Sequence, residues 1–297
     1  MFVKNQRFDV IFTDQVSVTN LAVYMFQLAR KKHVFYCHYP DVLLCTNRES
    51  ILKRWYRAPF DWLERRTTNS FCDVLLVNSK YTAQIVKSTF GEKISMEVLY
   101  PPVDTTRMVK GTHAQYFLSL NRFERKKDLE LALTAFADLR STRHELIIAG
   151  GYDPRLDENV NYFEHLQRQI TILNLQERVK LIQNVSDEQR SQLLANAIAV
   201  IYTPQFEHFG IVPVEAMLAG TPVIAWNNGG PKESIQHNQT GYLCNQTSEF
   251  TAYMQTIIDR KPNEITQMSK KCNKRVNDLF SLKSFTDRLV YIINKRG

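Results

Sequence analysis

The sequence predicts an α/β fold with two doubly wound, parallel-sheet domains. Short apolar runs of strand length alternate with segments of helical periodicity, first before residue 100 and again from residue 116 onward. Between these two series, residues 105–113 are polar and show neither strand nor helix periodicity. We therefore predict an interdomain linker in this region, with a first domain at 1–110 and a second at 111–297.

The composition is that of a globular protein with a substantial core. The chain has 297 residues, of which 44% are hydrophobic, and this is enough for two modest domains. Its five cysteines are scattered and contain no CxxC pair, which argues against a disulfide framework or a zinc site and favours a reducing compartment. No run approaches the roughly 18 apolar residues of a membrane-spanning helix, and the polar start does not match a signal peptide.

The net charge of +8 is concentrated in the first third of the chain. Residues 1–100 carry 14 Lys or Arg and 9 Asp or Glu, whereas residues 101–200 carry 13 of each kind. This excess indicates an anionic surface or substrate at the first domain, although a solvated basic face would give the same count. We expect no nucleic-acid partner.

The first series contains four predicted strands, which are apolar runs that a parallel sheet would bury on both faces. They lie at residues 9–12, 34–37, 73–77 and 96–100. Helices are predicted at 21–30 and at 80–90, the second capped by Ser79. His38 follows the second strand, where an active-site residue would lie, although a loop histidine without a role fits this local context equally well.

Residues 51–66 form a helical stretch of mixed character, and we predict that Pro59 interrupts it. The stretch combines Trp, Tyr, Phe and Leu with five Lys or Arg. Such a helix suits a membrane interface, where aromatic groups lie at the acyl boundary and cations face anionic headgroups. The alternative is an amphipathic helix whose apolar face packs on its own sheet.

The second series contains six predicted strands and the helices that connect them. The strands lie at 116–120, 145–149, 179–182, 197–202, 223–226 and 241–243. The connecting helices are predicted at 129–139, 163–173, 190–196 and 216–220, and further helices fill the chain from residue 250 to its end. A cleft between two such domains could hold a nucleotide on one side and an acceptor on the other.

The stretch from Phe206 to Glu215 follows a buried strand and leads into a helix. This order places Glu207 and the backbone amides near Gly210 at the carboxyl edge of a parallel sheet, where open α/β sheets bind ligands. Gly210 lets the backbone approach a ligand closely, and the helix that opens near Ile211 directs free N–H groups at an anion.

Arg122 and Lys127 follow a strand of the same sheet and can therefore reach the same edge. Two cations and a helix N-terminus together make a diphosphate site. The sequence contains neither Asp-x-Asp nor Gly-x-x-x-x-Gly-Lys, so we expect the phosphates to be held without an obligatory metal ion. Taken alone, the two cations would also fit a solvated surface pair.

Glu207 and Glu215 also invite comparison with glycosidases, in which one carboxylate is an acid and another a nucleophile. A retaining pair needs carboxylates about 5–5.5 Å apart. Eight residues on a helix span about 12 Å. We therefore expect the two side chains to hold different parts of one long ligand.

These motifs resemble the nucleotide-sugar domain of family-four retaining glycosyltransferases of the GT-B fold. The resemblance covers most of residues 116–235, and it rests on Glu207-His208-Phe209-Gly210 through Glu215-Ala216-Met217, on Asn121-Arg122 through Lys127, and on Gly229-Gly230-Pro231. It implies two Rossmann-like doubly wound domains that face a cleft.

The resemblance also implies a role for each matching residue. Glu215 would bind the ribose hydroxyls, and Glu207 would lie beside the transferred sugar. Arg122 and Lys127 would hold the diphosphate, and His38 matches the catalytic-region histidine of the first domain. The donor would further contact the loop and helix start at Phe209, Gly210, Ile211 and Val212.

The first domain narrows this resemblance. Its segments 35–41, 56–62, 77–79 and 99–101 resemble the α-1,3/1,6-mannosyltransferases of dolichol-linked oligosaccharide assembly. This implies GDP-mannose as the donor, a mannosyl-chitobiosyl-diphosphodolichol acceptor, and a location on the cytosolic face of the endoplasmic reticulum membrane. Other mannosyltransferases of the pathway are expected as further partners, and residues 51–66 gain a second reason to touch a membrane.

The chain departs from this family at its start. The family opens with a strand and a glycine-rich loop, whereas this sequence begins at what matches a middle strand, so we expect an incomplete, N-terminally truncated first domain. Two alternatives follow. One is a family-four transferase with another nucleotide sugar or acceptor, which a preference for UDP over GDP would reveal. The other is a non-catalytic form that binds nucleotide or membrane, which would bind GDP without transferring mannose.

Overall fold

The computed structural model divides the chain into two compact units, Met1–Pro101 with Phe285–Gly297, and Pro102–Ser284. It describes residues 9–26, 31–44, 51–91, 95–107, 111, 116–139 and 143–295, with the backbone alone described at 44, 51–54, 69–70 and 107. This division differs from the expected boundary between residues 110 and 111. It also groups the C-terminal segment with the first unit, because Ile292 packs into a cluster with strand residues of that unit.

The first unit is built on a four-stranded sheet in which all neighbouring strands are parallel. The strands follow one another across the sheet in chain order: β1 Val10–Asp14, β2 Lys32–Cys37, β3 Val74–Val77 and β4 Glu97–Val98. The described helices that begin in this unit are α1 Val18–Met25, α2 Asp41–Leu44, α3 Ile51–Ser70 and α4 Lys80–Phe90.

Both faces of this sheet are covered, as expected for parallel strands. On one face Val34, Tyr36, Leu76 and Leu99 pack together with Ile292. The other face is formed by a second cluster, which consists of Phe35, Cys37, Leu75, Val77 and Val86. Successive side chains of a strand point to opposite faces, so the continuous apolar runs seen in the sequence fill two cores.

Helix α3 is continuous, and the predicted interruption before Pro59 is wrong. The helix runs for 20 residues with Pro59 inside it. Proline removes only one intrahelical N–H bond, and the remaining bonds on either side maintain the helix. Its second half is also anchored from outside, because Asn20 donates a hydrogen bond to the Thr67 carbonyl oxygen at 3.2 Å.

The second unit contains a six-stranded parallel sheet. Its strands are β5 Tyr116–Leu120, β6 Glu145–Gly150, β7 Val179–Gln183, β8 Ala199–Tyr202, β9 Val223–Trp226 and β10 Gly241–Cys244. Their spatial order is β10-β9-β8-β5-β6-β7. The chain therefore builds the sheet outward from β5 in one direction and then outward from β8 in the other. The loops after β5 and β8 leave the sheet side by side at this topological switch point, which is where doubly wound sheets bind ligands.

The described helices of this unit are α5 Leu129–Ala137, α6 Asp157–Ile172, α7 Asp187–Asn196, α8 Ile211–Leu218, α9 Pro231–Ser234, α10 Ser248–Ile258 and α11 Pro262–Leu279. Helix α12 Leu282–Asn294 begins in this unit, but from Phe285 onward it belongs to the first unit and packs there through Ile292. Helix α7 begins with a capping box between Ser186 and Gln189. Helix α8 begins at Ile211, where a helix start was expected, so the helical run predicted at 216–220 starts five residues earlier. The expected class of two parallel-sheet, Rossmann-like domains is confirmed, and every predicted strand overlaps a described one.

Candidate active site

The site is built where the loops after β5 and β8 leave the switch point. The β5 loop passes through Asn121 and Arg122 to a 3-10 turn at Arg125–Lys127. Asp128 then adopts a left-handed conformation, with φ of 48°, before α5 begins. The Thr203 hydroxyl, at the start of the β8 loop, donates a hydrogen bond of 2.6 Å to the Lys127 carbonyl oxygen. This bond fixes one loop against the other.

Lys127 and Glu207 form the central contact of the site. Lys127 Nζ lies 2.6 Å from Glu207 Oε2, and the two side chains are only 12% and 24% exposed. The Tyr202 hydroxyl donates a second hydrogen bond, of 3.2 Å, to the same Oε2. Burial raises the pKa of Tyr202 well above its ordinary value, and the charge on Glu207 raises it further. Tyr202 therefore remains a hydrogen-bond donor at neutral pH.

His208 is a neutral neighbour of this pair. Burial lowers the pKa of its imidazole, and Lys127 and Lys126 lower it further, while Glu207 opposes them. The imidazole therefore carries no charge at neutral pH. The charged groups of the central contact are therefore Lys127 and Glu207, without a contribution from His208.

The acidic loop is held in shape by the turn that follows β9. The Gly230 N–H donates a hydrogen bond of 2.8 Å to the Glu207 carbonyl oxygen, and the Phe206 N–H donates one of 2.8 Å to Asn228 Oδ1. A Cβ at Gly229 would lie 2.6 Å from the Glu207 carbonyl oxygen, and the φ of Gly229 is +57°. Only glycine fits this position without strain. The Gly229-Gly230-Pro231 turn is thus a support for the loop that carries Glu207.

Helix α8 begins immediately after this loop, with Gly210 as its N-cap at φ of 78°. Because glycine has no side chain, Gly210 makes no side-chain capping hydrogen bond to the start of the helix. The N–H groups of Ile211 and Val212 belong to the first turn, whose donors have no partner within a helix. Both residues line a cavity of about 450 Å³. The positive end of the helix therefore opens into the same space as Lys127 and Glu207.

The walls of this cavity combine cations, carboxylates and backbone from the segments that follow four strands, β5, β6, β7 and β8. They include Asn121, Arg122, Lys127, Gly150, Gly151, Asn184, Asp187, Arg190, Tyr202, Glu207, Gly210, Ile211 and Val212. A Cβ at Gly150 would lie 1.8 Å from the Asn121 carbonyl oxygen, so glycine is required where β6 ends beside β5. The volume falls in the range of ordinary small-molecule sites.

Glu215 lies near the middle of α8 and lines a second cavity, of about 270 Å³, which shares Asp187, Arg190 and Ile211 with the first. Its carboxylate forms a close ion pair with the Arg190 guanidinium. Burial raises the pKa of Glu215, and Arg190 partly opposes this effect. The two cavities together form an elongated depression with Arg190 between them.

Arg122 stands at the outer edge of the site. Its side chain is 63% exposed, and its Nη1 lies 2.9 Å from Glu124 Oε1. Lys126 contacts the other oxygen of the same carboxylate at 3.0 Å. Arg122 is therefore held at the rim of the cavity, where a ligand can reach it.

The structure brings most of the predicted site residues together. The larger cavity is lined by Arg122, Lys127, Glu207, Gly210, Ile211 and Val212, and the adjacent one by Glu215. Phe209 differs, because it lines neither cavity and its ring packs edge-on against Phe280, with the centroids 5.8 Å apart.

His38 belongs to the first unit, where it follows β2 as predicted. Its Nε2 lies 2.9 Å from Asp14 Oδ1, and its ring lies against Tyr36, with the centroids 4.5 Å apart. The backbone N–H of His38 donates a hydrogen bond of 3.1 Å to Gln15 Oε1. The strand ends of β1 and β2 thus fix the orientation of the imidazole.

Arg190 and Tyr202 are the residues that the sequence did not single out. Tyr202 is the last residue of a buried strand, and its alternation pattern gives no sign that the hydroxyl reaches the loop. Arg190 lies in the first turn of α7, at the edge of the sheet where ligands bind. This position is the feature of the sequence that could have indicated a role for Arg190 in the site. Among the described residues there is no group of three or more His, Cys, Asp or Glu that could hold a metal ion, and independence from metal stays a prediction.

The chain is similar to known glycosyltransferases along its whole length. The model of the family "Glycosyl transferases group 1" matches residues 107–276, and that of "Glycosyltransferase Family 4" matches residues 1–107. The human alpha-1,3/1,6-mannosyltransferase ALG2 is 41% identical over 99% of this chain and 75% of its own length. The Dictyostelium discoideum protein of the same name is 40% identical, over 99% and 77%.

Solved structures show the same fold at low sequence identity. Anabaena HepE in complex with UDP superposes with a TM-score of 0.79 at 19% identity, covering 97% of this chain and 79% of that protein. Sucrose-phosphate synthase from Thermosynechococcus elongatus gives 0.78 at 18% identity, covering 96% and 73%.

Proposed function

The chain belongs to the glycosyltransferase family of the alpha-1,3/1,6-mannosyltransferases, and from this premise we propose that it transfers mannose from GDP-mannose to a dolichol-diphosphate-linked oligosaccharide at the cytosolic face of the endoplasmic reticulum membrane. The observation that carries the proposal is the Lys127–Glu207 pair, which lies in one cavity with the open start of α8. A cation, a carboxylate and free backbone N–H groups are what a sugar joined to a diphosphate requires.

The diphosphate occupies the part of the cavity next to Lys127, Arg122 and the first turn of α8. Negative charge accumulates on the diphosphate as its bond to the sugar breaks. Two cations and the N–H groups of Ile211 and Val212 stabilise that charge. Since Lys127 is largely buried, its charge acts in a site with little competing solvent.

Glu207 takes the transferred sugar. Lys127 and Tyr202 both contact Oε2, and we assign Oε1 to a hydroxyl group of mannose. Before the donor binds, the Tyr202 hydroxyl holds the carboxylate, and the Gly230 hydrogen bond fixes the Glu207 backbone. Such advance positioning is how polar groups contribute most to catalysis.

Glu215 binds the ribose hydroxyls of the nucleotide, in the cavity adjacent to the one that contains Lys127 and Glu207. Arg190 holds the Glu215 carboxylate in its charged form, because its guanidinium opposes the effect of burial on the pKa. A charged carboxylate accepts two hydroxyl hydrogen bonds at once. This arrangement orders the donor from ribose through diphosphate to sugar.

The reaction retains the configuration at the sugar carbon. The C1–O bond to the diphosphate breaks while the acceptor hydroxyl oxygen bonds to C1 on the same face, and the hydroxyl proton passes to the departing phosphate oxygen. The leaving group therefore serves as the base. His38, in the first unit, keeps the catalytic role that the family resemblance implies as part of this proposal, and its ring is held by Asp14 and Tyr36.

Incubation of the purified chain with GDP-mannose and a synthetic lipid-linked acceptor tests the proposal directly. Mass spectrometry and linkage-specific mannosidases should show added α-1,3- and α-1,6-linked mannose. Calorimetry with GDP and UDP tests the donor separately, and GDP should bind more tightly. Tight UDP binding with no GDP binding would replace the proposed donor, and GDP binding without any transfer would identify a non-catalytic form.

A further inference from the structure

Helix α3 exposes its large aromatic side chains to solvent. Trp55 is 79% exposed, Tyr56 71%, Phe60 51% and Trp62 64%. An aromatic side chain buries roughly 150–250 Å² when it is covered, so four together make a large uncovered apolar surface. These four side chains do not pack in the core of the first unit.

The side of α3 that contacts the rest of the first unit is polar instead. Both oxygens of Glu64 accept hydrogen bonds from the N–H groups of Asp41 and Val42, at 2.7 and 2.8 Å. Arg57 pairs with Asp61 at 3.7 Å, and their side chains are 31% and 16% exposed. Three ionisable side chains of this helix, Arg57, Asp61 and Glu64, are therefore half-buried, whereas its four large aromatic side chains are exposed.

The exposed groups have a regular arrangement. Trp55, Pro59, Trp62 and Arg66 recur at spacings of four, three and four residues, which places them on one side of the helix. Tyr56 and Phe60 lie beside this row, with ring centroids 5.5 Å apart. We call the outward side of residues 55–66 the aromatic row.

The chemistry of the aromatic row matches that of a phospholipid surface. Trp and Tyr prefer the zone between acyl chains and headgroups, because their rings are apolar and their N–H or O–H group remains hydrated. Arg66, together with the basic excess of the first hundred residues, is complementary to anionic headgroups. Among the described helices, none has the length and apolar character needed to cross a membrane.

We propose that the aromatic row of α3 lies flat in the headgroup region of an anionic phospholipid membrane. Trp55 and Trp62 would enter the acyl boundary, and Arg66 would contact lipid phosphates. This inference goes beyond the proposed function, since binding a lipid surface requires neither a sugar donor nor an acceptor.

The test uses vesicles that contain no lipid-linked sugar, so that its outcome is independent of transfer activity. The full chain is floated with vesicles of phosphatidylcholine alone or with about one fifth phosphatidylserine. The chain has three tryptophans, and Trp226 is only 7% exposed in the second unit. Brominated phospholipids should therefore quench mainly Trp55 and Trp62. We expect quenching, and several-fold stronger binding to the anionic vesicles.

The variant Trp55→Ser with Trp62→Ser should lower the vesicle partition coefficient by about tenfold or more. Arg66→Gln should lower it by about fivefold on anionic vesicles only. The matched control is Leu156→Ser with Ile172→Ser, which removes two exposed apolar side chains, 52% and 68% exposed, from the second unit. This control should bind like the unchanged chain.

GDP affinity and circular dichroism are measured on every variant, and both should be unchanged because the aromatic row makes no part of the sheet. Equal vesicle binding by the tryptophan variant and the unchanged chain would overturn the proposal. So would a chain that ignores vesicles but forms a dimer that the tryptophan variant cannot form, since the aromatic row would then be a protein interface.

Discussion

Lys127 and Glu207 are 80 residues apart in the sequence, and their Nζ and Oε2 atoms lie 2.6 Å apart. The contact exists because β5 and β8 are neighbours at the point where the direction of sheet growth reverses. Each residue follows one of these strands, and the topology delivers both to the same edge. The proposed reaction depends on this pair.

Replacement of Lys127 by alanine should reduce mannose transfer by about a hundredfold or more, because the cation that neutralises the diphosphate is removed from a largely buried position. The control is Lys126→Ala. Lys126 is the preceding residue, its side chain is 66% exposed, and it contacts Glu124 outside the central pair. Its loss should change kcat/KM by no more than about twofold. Equal losses in the two variants would mean that the site requires only general positive charge.

Glu207→Gln should lower kcat strongly while leaving GDP affinity nearly unchanged. Glutamine keeps the size of the side chain and still accepts the Tyr202 hydrogen bond, but it has no charge for Lys127. The nucleotide is held elsewhere, by the start of α8 and by Glu215. Steady-state kinetics and GDP calorimetry separate the two effects, and a parallel loss of GDP affinity would assign Glu207 to the nucleotide instead of the sugar.

Tyr202→Phe should have a smaller effect in the same direction, about tenfold in kcat. The hydroxyl positions the Glu207 carboxylate at 3.2 Å but does not itself contact the sugar in the proposed arrangement. KM for GDP-mannose should therefore change little. A variant with unchanged kcat would show that Lys127 alone suffices to hold Glu207.

Donor affinity should weaken as the pH is lowered through the pKa of Glu215. Burial raises this pKa above its ordinary value of 4.5, so the carboxylate takes up its proton at a higher pH than a free side chain. The protonated form accepts ribose hydroxyls less well. Titration of GDP-mannose binding shows the effect cleanly, because its diphosphate has no ionisation in this range. Glu215→Gln should bind more weakly at neutral pH, and this pH dependence should disappear.

Arg190→Gln should move the loss of affinity to higher pH. Arg190 lowers the pKa of Glu215 by its charge and its hydrogen bond, so its removal leaves the effect of burial unopposed. A shift to lower pH, or none, would show that Arg190 does not control the ionisation of Glu215.

The sequence was sufficient for the parts of this site that follow directly from chain order. Lys127, Arg122 and Glu207 each come just after an apolar run, and a parallel sheet gathers its strand ends at one edge. The role of Arg190 depends on the direction of a side chain on a helix, which periodicity does not give. The ring of Phe209 packs against Phe280 from a distant helical segment, and no local pattern announces that contact.

In the fold, too, local sequence patterns predicted some features, while others depend on contacts between residues far apart in the sequence. Apolar runs located the strands, but the grouping of residues after Phe285 with the first unit depends on Ile292 meeting Leu76 and Leu99. The predicted interruption at Pro59 depended only on the local tendency of proline to break a helix. The contacts of Glu64 with Asp41 and Val42, which help to hold that helix, arise only in the folded unit.

Gly229→Ala should impair both stability and transfer, because the turn that supports the acidic loop has no room for a side chain. The φ of +57° costs about 1–3 kcal/mol for a non-glycine residue. In addition, the new Cβ would lie 2.6 Å from the carbonyl oxygen of Glu207 and 2.8 Å from its nitrogen. The backbone of Glu207 must then move away from Lys127. Thermal unfolding and kcat/KM for GDP-mannose measure the two consequences.

The variant Gly91→Ala is the control for Gly229→Ala, because it introduces backbone strain at a positive φ without a steric clash of the new Cβ. Gly91 also has a positive φ, of +121°, but a Cβ there meets no atom of the described residues within 4 Å. This variant should lose stability through φ alone and keep its transfer activity when folded. Gly229→Ala should instead lose activity well below its unfolding temperature, because the displaced group is Glu207 itself. Equal behaviour of the two variants would mean that the turn contributes only to stability and does not position the carboxylate.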